Sequence, residues 1–214
     1  MTEVYYTDIT KFKLNKDFSF YESRLSVQRI EMLKKQAMLE NQKQSLGAGF
    51  LLDEVLKKHG KREISEPYDT NKHGKRIYQG FDINLSHCKN IVMCAWSEQP
   101  VGIDIEKIKR YDKRIPIRFF TKKEQEWILQ NTNPSRAFFQ LWTRKESIAK
   151  WEGTGIGQDF FEDIVLPDEF MHQQTNINKQ KVWLHSFELM DFLISVCTTE
   201  ADIISEPEQI FVDI

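Results

Sequence analysis

The stretch "VGIDIEKIKR", residues 101–110, decides how this chain is read. Side chains alternate along a β-strand, so Val101, Ile103 and Ile105 form one apolar face. Asp104 and Glu106 share the opposite face. A rise of ~3.3 Å per residue puts their Cβ atoms roughly 6.5–7 Å apart. Two carboxylates that close are unfavourable unless water, hydrogen-bond donors or a cation compensates. Alone, the pair fits a solvated strand face as readily as a binding site.

Two more short strand-like runs precede it, "FDINLSH" at 81–87 and "NIVMCAWS" at 90–97, with turn residues between them. Upstream lie a helical stretch over 26–59 and a polar, turn-rich segment over 60–76. Downstream, a helix is predicted over 122–131 and another over 135–151. Asn133 is placed to cap the second, and Pro134 suits its first position. Phe138, Leu141, Trp142 and Ala149 supply its apolar stripe. "GTGIG", 153–157, follows this helix rather than a strand, so it reads as a helix stop and not as a dinucleotide fingerprint. Strand-like runs at 181–189, 191–199 and 208–214 close the chain.

Helices followed by a three-strand meander therefore occur twice. The expected fold class is α+β: two similar halves, residues 1–103 and 104–214, each with helices packed on a small antiparallel sheet. A cleft between two such halves is a common ligand site.

Composition narrows the function. A chain of 214 residues that is 40% hydrophobic, with 15 Phe, can bury a sizeable core. Its net charge of −2 offers no global basic field for nucleic acid. The first residues lack the pattern of a signal peptide, and no apolar run is long enough to span a membrane. Cys88, Cys94 and Cys197 form no C-x-x-C pair, which argues against a disulfide framework or a zinc site. A reduced, cytoplasmic setting is expected.

A third carboxylate bears on the Asp104–Glu106 pair. Glu146 lies in the helix over 135–151, bracketed by Trp142 and Trp151, which suggests partial burial. It also forms an i,i+4 pair with Lys150, as many surface helices do. Three carboxylates without a histidine or thiolate cluster suit a hard divalent cation such as Mg²⁺ beside phosphate oxygens, rather than zinc. Ser86 and His87 end a strand and could donate to phosphate, though a lone histidine there is often structural. Adjacent in sequence, they make no hydrolase triad. Lys72, Lys75 and Arg76 surround Gly74, and Arg29, Lys34 and Lys35 lie on the first helical stretch. Both basic groups fit a solvated surface as well as a phosphate site.

Taken in order, N-x-S-H at 84–87, G-I-D-I-E at 102–106, R-F-F-T-x-x-E at 118–124 and L-W-T-x-K-E-S-x-x-K at 141–150 resemble the 4′-phosphopantetheinyl transferase superfamily, in its long pseudo-dimeric type that serves nonribosomal peptide and polyketide synthesis. The resemblance implies transfer of the phosphopantetheine arm of coenzyme A to a serine of an acyl or peptidyl carrier protein, with 3′,5′-ADP as the other product, by an enzyme acting as a monomer. It implies that Asp104, Glu106 and Glu146 hold Mg²⁺ on the diphosphate. Ser86, His87 and Lys150 would contact the phosphates, and Lys75 the adenine or phosphate end. Arg29 and Lys34 are further phosphate candidates. Glu146 or a metal-bound water would take the serine proton, and His87 and Lys150 would offset charge where the diphosphate is cleaved. The same groups would also serve a metal-dependent hydrolase of coenzyme A or nucleotide pyrophosphates, and a carrier-binding module without catalysis is a third reading. Arg76 stands where members often have proline, and Cys88 where they have a small hydroxyl residue.

Overall fold

The computed structural model describes residues 1–15, 17–62, 68–155, 172–201 and 206–212. Their strands form two four-stranded sheets and one short hairpin. The first sheet has β1 (Glu3–Asp8), β4 (Asp82–Cys88), β5 (Ile91–Ser97) and β10 (Glu208–Gln209) in the order β10-β1-β5-β4. The second has β6 (Val101–Lys107), β7 (His172–Ile177), β8 (Gln180–Leu189) and β9 (Phe192–Thr198) in the order β6-β9-β8-β7. The hairpin pairs β2 (Asp69–Thr70) with β3 (Arg76–Ile77).

Helices cover the outer faces. The first sheet carries α2 (Leu39–Lys58), on which α1 (Val27–Lys35) packs, and the second lies under α3 (Arg114–Phe119), α4 (Lys122–Gln130) and α5 (Pro134–Glu152). Strand alternation explains this layering. On β5, Val92 and Cys94 pack toward Leu51 and Val55 of α2, whereas Ile91, Met93 and Ala95 face the other way. They meet Val101, Ile103 and Ile105 of β6 and Ile194 and Val196 of β9 in a core between the sheets. The mixed α+β class and its two-halved plan are thus present.

The two meanders are not. The third run of each leaves for the other half. β6 makes no ladder with β5; it pairs antiparallel with β9 along its whole length, from Val101↔Thr198 to Lys107↔Phe192. The run at 208–214 contributes β10, parallel to β1, to the first sheet, and residues 213–214 lie outside the described set. The division expected between residues 103 and 104 therefore falls inside β6, and the chain changes sheets at the turn before Val101. The reason is burial: all of Val101–Ile105 is buried on both faces. Such a strand needs a helix on one side and the inter-sheet core on the other.

Local signals hold better. The side chain of Asn133 accepts from Arg136 N, Pro134 opens α5, and Gly153 ends it in the left-handed region at φ 70°. Ile156 and Gly157 of "GTGIG" lie outside the described residues. The single helical stretch expected over 26–59 is two helices, because Gln36 and Met38 are extended and α1 folds back on α2. Among the described residues no helix is long and apolar enough to cross a membrane.

One glycine fixes the second half. A Cβ on Gly102 would overlap Ser147 O and Trp151 N and lie 3.0 Å from Lys150 C, all backbone atoms of α5. Backbone cannot rotate aside as a side chain can, so Gly102→Ala is expected to cost ~3 kcal/mol or more. The urea midpoint measures it; an unchanged midpoint would show that α5 does not rest on this residue.

Candidate active site

The close approach at Gly102 puts α5 directly over the face of β6 that carries Asp104 and Glu106. Glu146 and Lys150, one helical turn apart, are the α5 residues beside them. Lys150 is offered to Glu146 by helix spacing, but its ammonium reaches Asp104 Oδ1 at 2.7 Å and Ser86 Oγ at 2.9 Å. Ser86, on β4, donates to the same Asp104 oxygen at 2.9 Å. Asp104 is 6% exposed. Its other oxygen, Oδ2, is buried with no hydrogen-bond partner among the described residues.

The carboxylates feel one another. Burial, then the charge of Asp104, pushes Glu146 up to about 7, with Glu106 adding and Lys150 opposing. Burial also raises Glu106, against the nearby Lys109 and with Asp104 adding. The Cys88 thiol touches Glu106 Oε2 at 3.7 Å and is itself raised by burial. The ring of His87 is accessible, yet it has lost enough water, and stands close enough to the Lys150 ammonium, to be held below the ordinary histidine value. It is therefore a neutral imidazole at neutral pH.

Among the described residues, no three His, Cys, Asp or Glu side chains stand together closely enough to hold a metal ion as they lie. The donor chemistry nevertheless suits a hard divalent cation. The donors are oxygens, one buried Asp104 oxygen lacks a partner among the described residues, and burial, with the charge of Asp104 adding, raises two neighbouring carboxyls.

A cleft of about 490 Å³ opens between the halves, and Glu146 and Lys150 line it on the α5 side. Arg29 of α1 and Arg76 of β3 line it from the first half. Of the basic residues expected on the first helical stretch, Arg29 is in place. Lys34 is exposed and outside the cleft lining, and its charge is felt at Asp17, away from the acidic trio. Lys75 borders the cleft, but its Nζ is engaged by protein: Asp82 Oδ2 at 2.7 Å, Trp151 O at 3.1 Å and Val101 O at 3.3 Å.

Three residues gained no role from sequence. Asn84 Oδ1 accepts from Ile103 N at 3.1 Å, and Asp82 Oδ2 accepts from Val101 N at 2.9 Å. They hold the edge of β6 that no strand covers. Asn84 was signalled as the first residue of N-x-S-H; Asp82 carried no signal. Asn71 bonds Gly153 O at 2.7 Å.

A family model described as the 4′-phosphopantetheinyl transferase superfamily matches residues 100–197. The chain is 43% identical over 90 residues to the 4′-phosphopantetheinyl transferase gsp of Aneurinibacillus migulanus, over 40% of this chain and 38% of that one. It is 30% identical over 165 residues to the 4′-phosphopantetheinyl transferase Sfp of Bacillus subtilis, over 69% of this chain and 74% of that one. With the 4′-phosphopantetheinyl transferase psf-1 of Bacillus pumilus it shares 36% over 146 residues, or 60% of this chain and 63% of that one.

The raised Glu146 has a thermodynamic consequence. The folded state keeps a proton that the unfolded chain releases near the ordinary glutamate value of about 4.3. The stability this contributes is complete below that value and is lost as pH rises through about 7. With a chelator present, Tm between about pH 4.5 and about pH 8 is expected to fall more steeply for the natural chain than for Glu146→Gln, which cannot ionise. Parallel curves would show that Glu146 carries no excess charge repulsion.

Proposed function

The chain belongs to the 4′-phosphopantetheinyl transferase superfamily, and from that premise we propose that it moves the phosphopantetheine arm of coenzyme A onto a serine of an apo carrier protein, in a Mg²⁺-dependent reaction that releases 3′,5′-ADP. The observation that carries the proposal is the contact of Lys150 with Asp104 and Ser86, beside Glu146 and at the edge of the cleft between the halves. It joins cation, carboxylates and hydroxyl from α5, β6 and β4, as cleavage of a diphosphate requires.

Asp104, Glu106 and Glu146 would hold Mg²⁺, which when bound offsets the negative charge of the diphosphate and polarises its phosphorus. Lys150 adds a fixed positive charge where the leaving phosphate gains electrons. Ser86, already donating a hydrogen bond to Asp104, and His87, the next residue of β4, would orient phosphate oxygens. Arg29 and Arg76 supply cations farther along the cleft for the remaining phosphate of the donor. The carrier serine oxygen bonds to the phosphorus that bears the pantetheine arm. The bridging P–O bond breaks, and its electron pair leaves with 3′,5′-ADP. Glu146, which lines the cleft one helical turn from Lys150, would accept the serine proton. Both halves of a single chain build this arrangement, which supports action as a monomer.

The test is to incubate the protein with coenzyme A, Mg²⁺ and several apo carriers, then weigh the carriers. A gain of one phosphopantetheine is expected, reduced ~100-fold or more in Asp104→Ala and Glu146→Ala chains that keep their circular dichroism. Breakdown of coenzyme A without a carrier, or no gain on any carrier, would overturn the reading.

A further inference from the structure

We infer that Lys75 is a positioning residue: with Asn71 it forms a clasp that sets the mutual placement of β4, β6 and α5, and it does not bind the donor's phosphates. The inference rests on the proposed transferase reading and departs from the phosphate or adenine role that motif likeness gives this lysine.

An ammonium group has three N–H donors. Those of Lys75 meet three acceptors on three different elements: Asp82 Oδ2 of β4 at 2.7 Å, Val101 O of β6 at 3.3 Å and Trp151 O of α5 at 3.1 Å. Nothing is left over for a ligand. The side chains of Lys75 and Asp82 are only 15% and 14% exposed, so the pair is compensated in place and presents no net charge to the cleft.

Each of the three elements carries reacting groups a short step from the clasp. Asp82 lies four residues before Ser86 on the same face of β4, Val101 leads into Asp104 and Glu106, and Trp151 follows Lys150 directly. Asp82 Oδ2 also accepts from Val101 N at 2.9 Å, so the lysine fixes the oxygen that fixes the start of β6.

Asn71 completes the clasp. Its Nδ2 donates to Gly153 O at 2.7 Å, while its Oδ1 accepts from His73 N at 2.9 Å and Lys75 N at 3.0 Å, closing the loop that presents the lysine. Trp151 O and Gly153 O belong to the end of α5, where carbonyls have no partner within the helix. A cation there also opposes the negative pole of the helix. The fit excludes a side chain on Gly153: a Cβ would lie 2.7 Å from Asn71 Nδ2 and 3.0 Å from Lys75 Cδ, at a backbone φ of 70°.

The experiment compares coenzyme A with 3′-dephospho-coenzyme A as donors for the natural chain, Lys75→Met, Lys75→Arg and Asn71→Ala. For Lys75→Met, kcat is expected to fall about tenfold or more through misplacement of the reacting groups. The ratio of the two KM values should stay within about twofold of the natural ratio, because no phosphate contact is lost. Lys75→Arg, which keeps a cation for Asp82, should recover part of kcat. Asn71→Ala should repeat the same split more weakly, and it decides the matter if Lys75→Met does not fold. A KM ratio that collapses toward one would make Lys75 a phosphate ligand and overturn the inference. So would an unchanged kcat with a lowered Tm, the mark of a purely structural lysine. If the natural chain transfers nothing, the transferase reading fails instead. Amide exchange at Val101 and residues 149–153 then tests the clasp by itself: faster exchange in Lys75→Met supports it, and unchanged exchange overturns it.

Discussion

The contact between the backbone of α5 and Gly102 is the constraint on which the rest depends. Helices ordinarily pack on sheets through side chains, which keep the two backbones apart. Here Ser147 O and Trp151 N occupy the space a Cβ would need. The consequence is geometric. Asp104 and Glu106 share the face of β6 that holds Gly102, so they lie under the same helix, and Glu146 and Lys150 are the α5 residues that meet them. A larger residue at 102 would lift the helix and draw Lys150 away from Asp104. The glycine is thus required by close approach rather than by a special backbone angle, and its location next to the acidic pair is what turns a strand face into a site.

The site is costly to the fold. A buried Asp104 oxygen lacks a hydrogen-bond donor, and a glutamate is pushed to about 7 by burial and by its acidic neighbours. Each is a penalty for removing charge from water without a full complement of partners. Two lysines, Lys150 at Asp104 and Lys109 at 3.5 Å from Glu106, face three carboxyls. The penalty is offset by apolar packing on both sides: the inter-sheet core of Val101, Ile103 and Ile105 and the cluster of Phe138, Leu141 and Leu184 under α5. Groups that remain under-compensated while their surroundings are well packed are poised for a cation to supply the missing charge.

Much of this was legible because it is local. Helix α5 announces itself through Asn133, Pro134 and Gly153, and β4, β5, β6, β8 and β9 through β-branched and aromatic runs. The acidic pair on one face of β6 follows from a period of two. What failed to show is long-range. Strand β7, "HQQTNI", offers no apolar alternation, since it is the outer strand of its sheet and only Ile177 is buried. Strand β1 was hidden in an N-terminal segment without a repeat to match. The exchange of β6 and β10 between halves depends on which sheet each can pair with, and on a burial of β6 on both faces that the alternation of its side chains does not announce. Lys34 and Arg29 look alike in sequence, five positions apart on one helix; only the side of α1 that turns toward the cleft separates them.

The seam between the halves has its own logic. β4 and β6 are each at an edge of their sheet, and they meet without a backbone ladder. Instead, alternate side chains of β4 run along β6: Asp82 to Val101 N, Asn84 to Ile103 N, Ser86 to the Asp104 carboxylate and Cys88 to that of Glu106. The first two satisfy amides that an edge strand would leave bare. The last two reach past the backbone to the acidic side chains. A direct ladder would bring the strands to ~4.8 Å, so bridging by side chains holds them farther apart. The same register that covers the edge therefore also delivers a hydroxyl to Asp104 and a thiol to Glu106, and the join between the two halves and the construction of the site are a single row of contacts.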